Sequence, residues 1–282
     1  MISGSRYNLQ AEITRQQQLS QQIAQLQTDI SSGVKIHVAS DDPAAAARIA
    51  AIRQTQADAA VYATNITAAQ ATAAQVDTSL ASLTTSLTRA KELMLQASNG
   101  TLNASDRAAI VTELQGIRSD IANQATQTDA NGQPIFASGP ALQIPIGPNS
   151  SVAAGDSYEE VFGSVTLKDG SVQSLDTIIS NAIDAVNAGD SPAMAASLDA
   201  VDSAGTHVSS AQSDIGVREA RLNAATDALA TQKTNLADER SGLEDTDATE
   251  AYIQLSNKMT ILSAAQSVLT RVGQATLFDK IN

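Results

Sequence analysis

The chain contains no cysteine and no tryptophan, and it has only three phenylalanines and four tyrosines among 282 residues. The absence of cysteine excludes disulfides and thiolate metal sites. Because aromatic side chains bury the most surface per residue, their scarcity argues against a thick core and favours thin helix-on-helix packing through alanine. No apolar run approaches the roughly 18 residues of a membrane span, so we expect no membrane insertion.

Basic residues are also scarce, since 17 Lys and Arg stand against 30 Asp and Glu, for a net charge of −13. Binding to nucleic acid needs clustered Lys and Arg, so we expect no nucleic-acid partner. The charge is unevenly placed: residues 1–30 sum to zero, residues 250–282 sum to +1, and the middle carries −14. Near-neutral ends suit burial in an assembly, and an acidic middle suits exposure to water.

Apolar residues recur at helical steps of three and four near both ends of the chain. These two terminal stripes consist of Leu9, Ile13, Leu19, Ile23, Leu26 and Ile30, and of Tyr252, Leu255, Met259, Leu262 and Leu269, followed by Leu277 and Phe278. A third helical pattern begins at Asp42, which fits an N-cap, and Pro43, which fits the first helical position. Leucines recur every seven residues from Leu222 to Leu243, which predicts a supercoil with a partner helix.

Residues 129–175 differ in kind, because four of the six prolines fall there among glycines and short alternating runs that predict β-hairpins. The expected fold class is mainly α: an elongated antiparallel bundle of long helices, or coiled-coil rod, with a small β-rich insert in the middle. The predicted domains are an N-terminal assembly helix and loop (1–42), two halves of the rod (43–128 and 176–245), the insert (129–175) and a C-terminal assembly helix (246–282).

Three patches, in the correct order, resemble the flagellin superfamily. They are residues 31–36 followed by 40–45, which include Asp41, Asp42 and Pro43, then residues 215–222, and residues 243–251. Four features are similar to the hook–filament junction subfamily: Pro43 after the Asp pair, the start at residues 1–3, the segment 131–136, and the ending at 275–279. A short filament flagellin is the alternative within the superfamily.

The resemblance implies a structural subunit of the bacterial flagellum, secreted through the type III export apparatus without a cleaved signal. It implies a ring between hook and filament. The implied partners are further copies of the chain, the hook-side hook-associated protein, filament flagellin and an export chaperone. The terminal stripes would form the interface between neighbouring subunits, and Asp41, Asp42 and Pro43 the signature loop and helix cap. Closure of an intramolecular bundle is the alternative role for the terminal helices.

No group of residues predicts catalysis, a cofactor or a metal. His37 and His207 are isolated in the sequence. Asp41 and Asp42 point apart as adjacent residues, so a helix cap explains them better than a pair of catalytic acids. A cell-surface adhesin or glycan-binding protein is the alternative from another class, although the insert offers few aromatic rings for stacking on sugars: Phe136, Tyr158 and Phe162.

Overall fold

The computed structural model describes residues 2–99, 102–129, 131–153 and 155–278, and their side chains from residue 10 to residue 271. The chain divides into two compact units. Unit 1 combines Met1–Gln56 with Lys233–Asn282, and unit 2 is Ala57–Gln232.

Helices dominate both units. In chain order they are α1 (Ile2–Ser32), α2 (Pro43–Ala97), α3 (Ala104–Ala125), α4 (Leu175–Ala188), α5 (Ser191–Glu244) and α6 (Ala248–Phe278). The predicted fold class, mainly α with long antiparallel helices and a small β-rich insert, is confirmed. Within the part of the chain that the structure describes, no helix has both the length and the apolar character that crossing a membrane requires.

Local sequence signals explain where the helices begin and end. The Asn103 side chain accepts hydrogen bonds from the backbone N–H groups of Ser105 and Asp106 and starts α3 with a capping box. Gly33 and Gly189 follow α1 and α4 with φ values of +76° and +68°, a left-handed conformation that glycine adopts without steric cost.

The insert contains two small antiparallel sheets. Strand β1 (Gln143–Gly147) pairs with β2 (Ser150–Ala153), and β3 (Val165–Thr166) pairs with β4 (Val172–Gln173). Alternation along the first hairpin places Ile146 and Val152 in an apolar cluster with Leu222 of α5. The insert therefore packs on the helices of unit 2.

The main core lies in unit 2, between α2, α3, α4 and α5. Its fully buried side chains include Leu80, Leu83, Leu87, Leu114, Ile178, Ile179 and Ile215. Phe136 and Phe162 of the insert close this core edge to face, with ring centroids 4.9 Å apart.

Polar contacts show that α2 and α5 run antiparallel in unit 2. Gln70 pairs with Asn223 at 3.0 Å, and Lys91 pairs with Asp202 at 2.5 Å. The residue with the higher number on α2 pairs with the residue with the lower number on α5, so the two helices run in opposite directions.

Candidate assembly interface

The two terminal helices pair with each other within unit 1. Helices α1 and α6 are in contact, and the Lys258 ammonium donates to Gln22 Oε1 at 2.7 Å. The loops that join α1 to α2 and α5 to α6 also meet, through an antiparallel bridge between Val34 and Asp245. The end of α1 therefore lies beside the start of α6, and the two helices run antiparallel.

Part of each predicted terminal stripe is covered by this pairing. On α1, Ile23 is 9% exposed, and Leu19, Leu26 and Ile30 are half-buried. On α6, the half-buried stripe positions are Leu255, Leu262 and Leu269. The α1 residues recur every three or four positions and the α6 residues every seven, so they form one face on each helix and pack α1 against α6 of the same chain.

The other predicted stripe residues stand outside that contact. Ile13, Tyr252 and Met259 are 42%, 67% and 52% exposed. The side chains of Leu9, Leu277 and Phe278 lie outside those that the structure describes. The role of the stripes between subunits stays a prediction, and the exposed members are the ones whose surface a neighbour could still cover.

Sequence reasoning missed a second apolar face of α6. Ile253, Ile261 and Val268 are 55%, 58% and 60% exposed. A sequence signal for them was available, since these large apolar residues fall off the three-and-four stripe that packs on α1. At about 100° per residue, Ile253, Ile261 and Val268 form a second apolar face, on a different side of α6 from the face that packs on α1.

Backbone hydrogen bonds hold the two loops of unit 1 together. Lys35 N–H donates to the Glu244 carbonyl at 2.8 Å, and Thr246 N–H donates to the Gly33 carbonyl at 2.9 Å. The His37 ring lies 2.8 Å from the carboxylate of Asp29, whose residue is 9% exposed. The two backbone bonds tie the loop after α1 to the loop before α6, and the contact between His37 and Asp29 holds the first of these loops on α1.

Asp41, Asp42 and Pro43 each act locally. The Asp41 carboxylate accepts the backbone N–H groups of His37 and Val38 at 3.0 Å, and these bonds hold the pKa of Asp41 below its ordinary value. Asp42 Oδ1 accepts the N–H groups of residues 44 and 45, also at 3.0 Å, and Pro43 is the first residue of α2. The two carboxylates therefore bind backbone on opposite sides of Pro43 rather than converging.

The two units differ in net charge. Unit 1 contains ten Lys and Arg against eleven Asp and Glu, a net charge of −1. Unit 2 contains seven against nineteen, a net charge of −12. Copies of unit 1 can therefore approach one another without the repulsion that copies of unit 2 would meet.

A partly buried ion pair attaches the insert to α5. Arg218 donates to the carboxylate of Asp156, whose side chain is 7% exposed. Burial raises the pKa of Asp156, and the nearby Arg218 opposes that shift in part. Four residues further along the insert, the carbonyl of Glu160 lies 2.8 Å from the His207 ring. Sequence reasoning gave no signal for this pair, because its members lie in separate elements.

The described residues form neither a metal site nor an aromatic surface for binding sugars. Across the described ranges, no three His, Cys, Asp or Glu side chains come together in a way that could hold a metal ion. Of the insert's three aromatic rings, Phe136 and Phe162 are each 2% exposed and only Tyr158, at 43%, reaches the surface. The rings that an adhesin would use for stacking on sugars thus serve mainly as core.

Two family models match the chain in order. The bacterial flagellin N-terminal helical region matches residues 5–139, and the bacterial flagellin C-terminal helical region matches residues 198–278. Together they span most of the sequence. The chain belongs to the bacterial flagellin family. The resemblance stated from three sequence patches is confirmed, and the unmatched middle of this family member contains most of the insert.

Individual relatives include hook-associated proteins. This flagellin-family chain is 40% identical over 108 residues to flagellar hook-associated protein 3 of Salmonella typhimurium. The aligned region covers 38% of this chain and 34% of that relative, so it spans about a third of the relative's length.

Solved structures show the same fold at low identity. The flagellar hook-associated protein 3 of Legionella pneumophila has a TM-score of 0.63 and 17% identity, covering 69% of this chain and 98% of that chain. FlgL of Xanthomonas campestris has a TM-score of 0.60 and 14% identity, covering 67% and 99%.

Proposed function

We propose that this chain is a structural subunit of the bacterial flagellum that forms the junction ring between hook and filament. The observation that carries the proposal is the surface of unit 1. Its paired terminal helices leave large apolar side chains uncovered, on a unit whose net charge is −1. Large exposed apolar surface on a near-neutral unit favours association with further copies.

The junction position is supported by the relatives. The stretch that is 40% identical belongs to a protein named flagellar hook-associated protein 3. In this proposal the exposed members of the terminal stripes, Ile13, Tyr252 and Met259, contact neighbouring subunits, and the acidic unit 2 faces water. The loop contacts around Asp41 and Asp42 hold the start of α2 in place beside the terminal pair.

The proposal extends to partners and location. The chain is secreted through the type III export apparatus with the help of an export chaperone, and it acts outside the cell. On one side it contacts the hook-side hook-associated protein, and on the other side filament flagellin. It carries out no enzymatic reaction and binds no cofactor.

Immunogold electron microscopy of flagellated cells tests the position directly. Antibody raised against the insert, residues 129–175, should place gold in a single cluster at the distal end of the hook. A strain that lacks the chain should then shed flagellin into the medium, because the filament would have no base to grow from. Gold at neither the hook nor the filament would refute a flagellar role altogether.

A filament flagellin is the second candidate, because the matching family models describe flagellin itself. A filament holds many copies of its subunit, whereas a junction ring holds few. Gold along the whole filament, with the chain as its most abundant protein, would favour this candidate. A filament that forms normally in the deletion strain would count against both candidates.

A further inference from the structure

A groove in unit 2 lies where α4 ends and α5 begins, beside the hairpin of β3 and β4. Its volume is about 610 Å³. Alanines line it at helical spacing, so they share one face of each helix: Ala185 and Ala188 on α4, and Ala193, Ala196 and Ala200 on α5. Because each of these side chains is a single methyl group, the groove has an apolar floor and stays open above it.

The same groove is acidic. Four aspartates and one lysine line it: Asp169, Asp184, Asp190, Asp199 and Lys168. Carboxylates therefore outnumber ammonium groups by three. The Lys168 ammonium already binds Asp199 at 2.6 Å. The carboxylate of Asp184 forms no hydrogen bond with any described residue, and Arg118 attracts it only at longer range because its guanidinium binds Asp176.

A buried hydroxyl without a partner also borders the groove. Ser197 is 7% exposed, and its hydroxyl forms no hydrogen bond within the part of the chain that the structure describes. By contrast, Ser203 and Ser209, further along α5, each donate to the carbonyl four residues earlier at 2.9 Å. A buried hydroxyl without a partner is unfavourable, so the Ser197 oxygen is available to a molecule that enters the groove.

These features favour one class of ligand. Carboxylates accept hydrogen bonds and a hydroxyl oxygen can do so, which suits a positively charged ligand that carries N–H donors. The alanine floor suits a hydrocarbon stem, because its side chains carry no polar atom. We propose that the groove binds a free linear diamine or oligoamine, with its stem on the alanines and its ammonium groups on the surrounding oxygens. This site lies outside the proposed flagellar role and does not depend on it.

Isothermal titration calorimetry of the full-length chain with 1,4-diaminobutane tests the site. The titration is run in about 0.15 M salt, where the Debye length of about 8 Å screens diffuse attraction to the acidic surface. Two ligand controls separate charge from stem. Mg²⁺ carries the same charge without the stem, and 1,4-butanediol has the same stem without the charge. We expect saturation at one diamine per chain, with each control binding several-fold more weakly.

Variants locate the binding in the groove. Ala196→Leu fills the floor at an exposed position, and should abolish binding. Asp184→Asn and Ser197→Ala should each weaken binding several-fold, since each removes an oxygen acceptor or its charge. Asp227→Asn is the matched control, because it makes the same change of charge at an exposed position of α5 outside the groove. Its affinity should be unchanged, and circular dichroism verifies that every variant folds.

Several outcomes would overturn the proposal. No saturable binding of the diamine would do so, and so would normal binding to a folded Ala196→Leu variant. If that variant does not fold, Asp184→Asn and Ser197→Ala decide. Equal weakening by Asp184→Asn and Asp227→Asn, or equally tight binding of Mg²⁺, would indicate only diffuse attraction of cations. Tighter binding of Nα-acetyl-lysine methylamide than of the diamine would instead indicate a site for a lysine side chain of another protein.

Discussion

Replacement of Ile23 by alanine should selectively destabilise the terminal helix pair. Ile23 is 9% exposed and lies on the face of α1 that packs on α6. The change removes three carbon groups, each contributing about 0.8 kcal/mol when buried. With the cavity left behind, the opening free energy of the pair should fall by about 2–3 kcal/mol.

Amide hydrogen exchange on the full-length chain measures this change. Since 1.4 kcal/mol corresponds to a factor of ten, protected amides in residues 12–32 and 248–271 should exchange about 30- to 150-fold faster. Amides in unit 2 should be unchanged, because they belong to a separate compact unit.

Ile261→Ala is the matched control, since it removes the same atoms from a residue of α6 that is 58% exposed. Its effect should stay within about 0.5 kcal/mol, or a little over twofold in exchange. Equal effects of the two substitutions would refute the assignment of faces on α6. Absence of protection in the unmodified terminal helices would refute the pairing itself.

Three further predictions concern other parts of the chain. Tyr252→Asp combined with Met259→Asp should abolish incorporation into flagella while leaving the circular dichroism of the free chain unchanged. Val217→Asp, an equally exposed position in unit 2, should be incorporated normally; equal loss in both would contradict the interface. Because burial raises the pKa of Asp156, its contribution to stability is present below its ordinary pKa and is lost as pH rises through the raised pKa. Asp156→Asn should therefore weaken the fall of the unfolding free energy with rising pH, as measured by urea unfolding at several pH values. The same dependence on pH in the variant would contradict the raised pKa of Asp156. Gly189→Ala should lower the free energy of unfolding of unit 2 by about 1–2 kcal/mol, because alanine is strained at the positive φ of this position. An unchanged melting temperature would contradict this strain.

The two apolar faces of α6 would connect its stability with the proposed assembly. One face, with Leu255 and Leu262, is covered by α1 of the same chain, and the other, with Ile261 and Val268, is open. Paired helices gain most of their stability from packing. Covering the open face in an assembly would therefore stabilise the pair further, which couples the folding of unit 1 to subunit addition.

The sequence by itself determined the elements whose signals are local. Asp42 and Pro43 mark the start of α2, and Gly33 and Gly189 mark the ends of α1 and α4, because caps depend on a few adjacent residues. Turn residues and prolines located the insert. Three short patches of sequence, taken in order, were specific enough to identify the family.

Only the tertiary structure decided which apolar helix faces are covered by another helix of the same chain. A repeat of three and four residues shows that a helix has an apolar face, but it does not name the element that covers that face. Ile23 and Leu262 lie on faces that meet within one chain, whereas Tyr252 and Ile261 remain open. The pairing of Asp156 with Arg218 was equally hidden, because it depends on how the insert lies on α5. Contacts between residues far apart in sequence are set by the packing of whole elements, and no local pattern encodes them.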